Sequence, residues 1–348
     1  MAAASARVVR TARIHTVVLR TALGLGAGAV LMLTFLRLVA FSAVAQRLAH
    51  IRVGPAVLCG VAFLAAYVVR AVRWRLLLKP CQISTRRAVA VYQVAIFLNW
   101  LLPVRGGELA KSLLLRRSNA IPVSQSLATV TMDKAMDLLP AIALLALLPF
   151  VGLHLSRPLW LLLIFALAAV GLAVVLLGLV AWRRDRTLSG FRRVLGIVVP
   201  PAALQRVEPF LVRFVDTLLA LTRRPRVLLV AVAYTAVAVC LDALFCLLAF
   251  SAVGVRVALA VVLYGYTFFN LAFILPTPPG QVGSNEFIGL LIFSGLFGVD
   301  RSGVGAMFLF SHPWTAMLMT VSGLICLSAM GLTLRSTMRL ARAPRHDG

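Results

Sequence analysis

Apolar runs of about twenty residues alternate with short basic connections along nearly the whole chain. A helix of that length crosses the ~30 Å hydrocarbon core of a bilayer. The pattern predicts spans near 16–41, 54–72, 125–153, 158–181, 227–250, 257–276 and 303–333. Two further apolar pieces, 88–104 and 284–299, are short and flanked by Pro and Gly. The first runs into Pro103 and Gly106-Gly107 and restarts as a short helix from Glu108 to Leu115. The second follows Pro276, Pro278, Pro279, Gly280 and Gly283. Pro removes a helix donor, so neither stretch is read as a continuous helix. Irregular backbone at membrane depth is tolerated only where it is buried in protein or lines a cavity. Paired interruptions in two halves point to a transporter's central site. The expected fold is therefore all-α. It is a polytopic integral membrane protein with one transmembrane domain over 1–348. It should have about seven full helices, broken or re-entrant segments at 88–118 and 276–299, and a weak inverted repeat. The repeat rests on Asn99-to-Glu108 recurring, stretched, as Asn270-to-Glu286.

Composition agrees. The chain is 61% hydrophobic and 13% charged, with mean hydropathy +0.99, where soluble domains run about half apolar and a quarter charged. A net charge of +25 would suit nucleic acid, but the basic residues lie between apolar spans and not on one soluble domain. Positive-inside topology explains them, so no nucleic-acid partner is expected. The leading Arg7, Arg10 and Arg13, the 70–87 stretch, the 183–226 loop and the 335–345 tail are all basic. This places both termini on the cytoplasmic side of a cytoplasmic (inner) membrane. The 42–53 connection, expected outside, fits poorly because it holds Arg47, His50 and Arg52. The 183–226 loop reads as an interfacial helix or hairpin. Five cysteines without a CxxC pair read as buried small hydrophobes. The N-terminal stretch lacks a small-residue cleavage site and reads as a retained first span.

Glu108, Asp133, Asp137, Asp242 and Glu286, half of the chain's ten acidic residues, lie in or beside the apolar stretches. A carboxylate near the bilayer centre costs roughly 2.5–3.5 kcal/mol on insertion scales. Several together imply a polar cavity, an ion or proton path, or a substrate. Ser126, Thr129, Asp133 and Asp137 recur at helical spacing on one face. That stripe is either a cavity wall or a structural bridge to Arg105 or Arg73. Lys134 stands about 100° around the helix from Asp133 and is a poor partner for it. Glu108 opens a short helix behind Gly106-Gly107, flanked by Arg105 and Lys111. It is either an N-cap carboxylate or part of a phosphate cradle. Glu286 holds the matching place after Gly280 and Gly283. Arg73 and Arg75 straddle Trp74 at the end of the 54–72 span. They are either interfacial anchors or lipid-headgroup contacts, since arginine binds phosphate bidentately. His312, in Ser-His-Pro-Trp, is a kink neighbour or a proton carrier, and Asp242 is isolated; both stay open. No HExxH, nucleotide-binding loop or Ser-His-Asp set is present. No metal and no cofactor are expected, and the membrane carboxylates are the only candidates to sense an ion gradient.

The run Arg73-Trp74-Arg75, Asn99 to Pro103, Arg105 to Glu108, Asp133 and Asp137, then Pro276 to Glu286 resembles the transmembrane region of lysylphosphatidylglycerol synthases, a family of flippase-like integral membrane proteins. The likeness covers roughly 50–335, and its most specific parts are the two Pro/Gly/Glu segments. The Pro278-Pro279 pair departs from the more usual single Pro followed by Gly-Gly. In founding members this module precedes a cytosolic aminoacyl-transferase domain and moves the modified lipid between leaflets. That second domain is not expected here, so the resemblance implies lipid translocation and not lipid aminoacylation. The partner it implies is a membrane lipid or lipid-linked substrate, with a homo-oligomer or a biosynthetic enzyme as further partners left open. Asn99, Arg105, Glu108, Asp133, Asp137, Asn270 and Glu286 are expected to line one central cavity, bordered by Pro103, Gly106, Gly107, Lys111, Pro276, Gly280 and Gly283. The two breaks should meet there. Two alternatives remain: a membrane-embedded lipid-modifying transferase using the same carboxylates, and a non-catalytic partner of a lipid or glycan biosynthesis enzyme.

Overall fold

The computed structural model describes residues 22–79, 81–101, 106–119, 121–147, 201–272 and 277–332, with a few single positions between 164 and 193. All regular structure among them is helical. Pro103, Arg105, Pro276, most of the expected span 158–181 and the chain's two ends lie outside the described residues. The helices are α1 (Ala22–Leu38), α2 (Phe41–Ala49), α3 (Val53–Leu77), α4 (Thr85–Leu101), α5 (Gly107–Asn119), α6 (Val123–Leu147), α7 (Pro201–Thr222), α8 (Pro225–Ala252), α9 (Leu259–Ala272), α10 (Ser284–Leu296) and α11 (Arg301–Ala329).

Among the described residues, α3, α8 and α11 are long and apolar enough to cross a membrane. The pair α1–α2, bent by 91°, makes a fourth if taken as one span. The remaining expected spans look different. Helix α6 has 25 residues but carries Asp133, Lys134 and Asp137 in its middle. Helix α9 has 14 residues, about 21 Å at 1.5 Å per residue, against a ~30 Å hydrocarbon core. Two contacts hold the 42–53 connection in place. Arg47 pairs with Asp300 at 3.5 Å, and the Arg52 N–H donates to the Ala252 carbonyl at 2.9 Å. Over 201–222 of the 183–226 loop the structure has a helix, α7, continuous through Pro209.

The chain divides into two compact units. The first comprises residues 1–68, 90–110 and 239–348. Its core is a cluster of rings, including Phe35, Phe63, Phe245, Phe250, Phe269, Phe293 and Phe308. Edge-on and tilted pairs such as Phe250–Phe293 and Phe269–Phe308 hold them 5.2 Å apart. Edge-to-face packing of this kind adds about 0.5–1.5 kcal/mol per pair beyond area burial. In α10 the last turns, Leu290–Leu296, widen into π-helical winding.

The second unit comprises 69–89 and 111–238. Helix α6 packs along α7, and Leu77, Met132, Met136, Leu221 and Ala231 form a small core. Contacts between the end of α3 and α6 run in opposite directions along the two helices: Cys81 meets Gln125, Trp74 meets Thr129, Arg73 meets Asp133 and Arg70 approaches Asp137. The two helices are therefore antiparallel. The start of α8 follows the same sense, with Arg224 at Lys79 and Thr235 at Arg73. On α8, Ala231, Thr235 and Ala238 face inward, while Leu229, Val230, Val232 and Val237 face out. That is helical spacing with its small and polar side turned to the protein.

Candidate functional site

Two groups of polar side chains are built into this apolar scaffold, one in each unit. The larger is in the second unit and centres on Arg73, whose side chain is 0% exposed. Its Nε donates to Asp133 Oδ1 at 2.9 Å, and its Nη2 donates to Asp137 Oδ1 at 2.7 Å and to the Asp133 carbonyl at 3.0 Å. Its Nη1 donates to Thr235 Oγ1 at 2.9 Å. The guanidinium fork suits two carboxylates one helical turn apart, because its donors are planar and divergent. Asp133 is itself fully buried, and Lys111 Nζ stands 3.9 Å from its other oxygen. Lys111 also lies over the Trp74 ring, 5.5 Å from its centre. The Trp74 indole N–H donates to Thr129 Oγ1, which donates to the Ser126 carbonyl. Asp137 is partly open and is further approached by Arg70 and Lys134, each at 3.7 Å.

The stripe Ser126–Thr129–Asp133–Asp137 thus lies on one side of α6, and it meets Arg73, one of the two bridge partners weighed from sequence. Arg73 is inside the protein and not on the surface where an interfacial headgroup contact would stand. Burial on this scale needs the ion pairing it has, since an unpaired buried charge costs several kcal/mol. Arg75 is half-buried and donates to the Ile83 carbonyl at 2.6 Å. Thr235 and Trp74 complete the network; Thr235 carries no sequence signal beyond lying on a helix face, whereas Trp74 stands in the Arg73-Trp74-Arg75 run.

The second group is in the first unit, at the second Pro/Gly break. Glu286, in the first turn of α10, is 2% exposed. Its Oε2 accepts from the Gly283 N–H at 2.7 Å, which is how an acidic residue in a first helical turn satisfies an orphan donor. Its Oε1 faces His312 Nδ1 of α11 at 2.5 Å, and His312 Nε2 donates to the Gly280 carbonyl at 2.9 Å. A carbonyl oxygen can only accept, so Nε2 carries its hydrogen. Nδ1 and Oε1 then share one proton. It sits on the ring with Glu286 ionised, or on the carboxyl with the ring neutral, and the pair has zero net charge either way.

The loop that carries this pair is held closely. Gly283 has φ +80, and a Cβ there would stand 2.1 Å from the Gly28 carbonyl of α1. Only glycine accommodates both that backbone and that approach. Gly280 and Gln281 are also left-handed, at φ +66 and +58. On α11, Pro313 removes the donor next to His312, and the Thr315 hydroxyl donates to the Ser311 carbonyl at 2.9 Å.

The first break lies in the same unit. The Gly107 N–H donates to Asn99 Oδ1 at 2.7 Å, and Asn99 Nδ2 donates to Glu108 Oε1 at 3.3 Å. Gly107 packs so tightly that a Cβ would come 2.0 Å from the Ala95 carbonyl. Gly106 follows the undescribed residues 102–105 and is half-buried. The Trp100 ring, one residue beyond Asn99, lies 3.9 Å from where a Cβ would stand on Gly280. Trp100, beside the first break, and Gly280, in the second, are therefore neighbours. Asn270, at the end of α9, is exposed. Asp242 is buried on α8.

Long apolar helices, buried ion pairs and paired helix breaks define a multi-pass helical membrane protein. The chain belongs to the lysylphosphatidylglycerol synthase TM region family, whose family model matches residues 17–323. That membership connects it with lipid biosynthesis or transport. No curated protein and no solved structure matches it.

Proposed function

We propose that the protein is a lipid flippase-like transporter that moves a phospholipid or lipid-linked headgroup between the leaflets of the cytoplasmic membrane. The observation that carries this reading is the Glu286–His312 pair beside an open-backbone break. A shared proton on a buried acid and base, next to backbone not committed to a helix, is the arrangement of groups that transporters place near their sites. The family's tie to lipid chemistry supplies the cargo class. The reading includes seven crossings related by a weak inverted repeat, with both termini cytoplasmic as arginine density favours. In it Glu286 and His312 serve the moving step, while Asn99, Gly107 and Glu108 fix the matching break. Arg73, Asp133 and Asp137 have the structural part in it, holding α3, α6 and α8 together.

The test uses the full chain in phosphatidylcholine vesicles carrying a trace of fluorescent lipid, with dithionite added outside to bleach the outer leaflet. Fluorescent phosphatidylglycerol, its lysyl ester and a polyprenyl phosphate are each tried. Bleaching beyond half of the signal, reduced in Glu286→Gln, is the expected result. Bleaching equal to protein-free vesicles for all three lipids sinks the proposal.

A further inference from the structure

Within the second unit, the end of α3, the start of α6 and the last half of α7 line an open cavity of about 290 Å³ that shares Thr129 with the Arg73 network. Its rim is cationic: Lys79, Arg213 and Arg224 surround it, against one acid, Asp216. Gln125, Thr129 and Thr217 add hydrogen-bonding groups, and Leu77 and Leu221 form an apolar floor. The volume is near the lower end of the ~300–1,000 Å³ of small-molecule sites, which fits a headgroup and leaves no room for acyl chains. Those chains have a surface nearby. Helix α8 begins directly after Arg224, and Leu229 and Val230, 69% and 46% exposed, stand one turn further on. Helix α7 itself is amphipathic, with Phe210 and Phe214 stacked 6.4 Å apart, as in a helix lying in a membrane interface.

The cavity also touches the buried ion network. Thr129 is at once a wall of the cavity and the acceptor of the Trp74 indole N–H, and the Trp74 ring carries Lys111 on its face. Ser126, fully buried on the same stripe of α6, has no hydrogen-bond partner for its Oγ. Arg224 is oriented by donating from Nη1 to the Lys79 carbonyl at 2.9 Å, which leaves its other nitrogens to serve the rim.

We propose that this cavity binds the phosphate of an anionic phospholipid, with Lys79, Arg213 and Arg224 as its ligands and the acyl chains lying along the outer face of α8. This deepens the transport reading, since it names where a headgroup docks, and it rests on that reading only for the purpose of the docking. Charge-assisted bonds from arginine to phosphate are stronger than neutral ones, and three cations facing one acid favour an anion over a zwitterion or a cation.

The experiment is native mass spectrometry of the full chain released from detergent with palmitoyl-oleoyl phosphatidylglycerol or with palmitoyl-oleoyl glycerol, which has the same chains and no phosphate. The wild type should retain phosphatidylglycerol and not the neutral lipid. Lys79→Gln with Arg213→Gln should weaken retention about tenfold, and Asp216→Asn should strengthen it. Thermal unfolding of each variant confirms that it is folded, and Asp216→Asn tests the site with no cation removed. Equal retention of both lipids, or no response to either variant, overturns the proposal. Displacement of the lipid by millimolar inorganic phosphate would also overturn it, by making the site one for free phosphate. If lipid is retained but vesicles show no transbilayer movement, the transport reading fails and the docking site stands. If movement is normal while binding ignores the cavity variants, the docking site fails alone.

Discussion

The two polar groups solve the same problem, ionisable side chains inside apolar helices, in opposite ways. Around Arg73 every direction is spoken for: two carboxylates, a hydroxyl and a carbonyl take its donors, and Lys111 closes on Asp133 from the far side. Such an arrangement is over-determined, and moving any one member strands another. Around Glu286 there are few bonds, and one of them holds a proton that can rest on either side. The carboxylate sits on a left-handed loop and its partner beside a helix-breaking proline. The first group locks three helices together, whereas the second can change state without losing its hydrogen-bonded geometry. Buried charge alone does not indicate function; what distinguishes the two is whether a neutral isostere could keep every bond.

The contrast breaks most visibly at Arg73. Arg73→Met should destabilise the protein by about 3–5 kcal/mol, because it takes the direct hydrogen bonds from the buried Asp133 and leaves it only the more distant Lys111. Guanidinium unfolding in detergent measures it, and Arg73→Met with Asp133→Leu should recover most of the loss. An unchanged midpoint in the single variant would mean that the network holds nothing together. Next in size, His312→Leu should cost about 1–3 kcal/mol by stripping partners from Glu286 and the Gly280 carbonyl. Glu286→Gln should not. Its amide can donate to Nδ1 while its carbonyl accepts from Gly283, so stability should stay within about 1 kcal/mol of wild type while lipid movement falls. A Glu286→Gln protein as unstable as His312→Leu would place the two groups in one class.

Gly283→Ala sharpens the second region by attacking the loop and not the pair. It forces a Cβ against the Gly28 carbonyl in a left-handed backbone, at roughly 1–3 kcal/mol. Limited proteolysis should cut near 277–283 in the variant and spare the parent. The smallest effect is expected at Arg47–Asp300, where the side chains are 35% and 58% exposed. Arg47→Ala should shift stability by less than about 1 kcal/mol, and by less still in high salt. A larger, salt-insensitive loss would show that this exposed pair behaves like the buried network.

Much of this was legible from periodicity, and what was not has a common cause. Helices α3, α8 and α11 announce themselves as long apolar runs. The face shared by Ser126, Thr129, Asp133 and Asp137 follows from spacing alone, and Arg73 was one of two cations within reach. The right-angle bend between α1 and α2 has no Pro or Gly to signal it. It is imposed from outside, where Val39 and Val44 pack on α11 around Gly305. The π-helical end of α10 is equally silent in sequence, as is the pairing of Glu286 with His312 across 26 residues. Periodicity reports which side of an element is buried; it does not report what lies opposite. The same limit applies to the 183–226 loop, where Pro200-Pro201 and an apolar middle allow a helix or a hairpin; over 201–222 there is a helix, and its packing against α6 is not written in that pattern.

The outward face of α8 sets a length scale. Its exposed large apolar residues run from Leu229 to Leu244, and beyond them Leu247 and Leu248 are half-buried against the ring core. That band is about 22 Å long at 1.5 Å per residue, several ångströms less than the ~30 Å of average hydrocarbon thickness. A mismatch between an exposed apolar band and the surrounding hydrocarbon costs fractions of a kcal/mol per ångström. Within the transport reading, lipids with shorter or more disordered chains meet this band with less deformation than lipids with long, ordered ones.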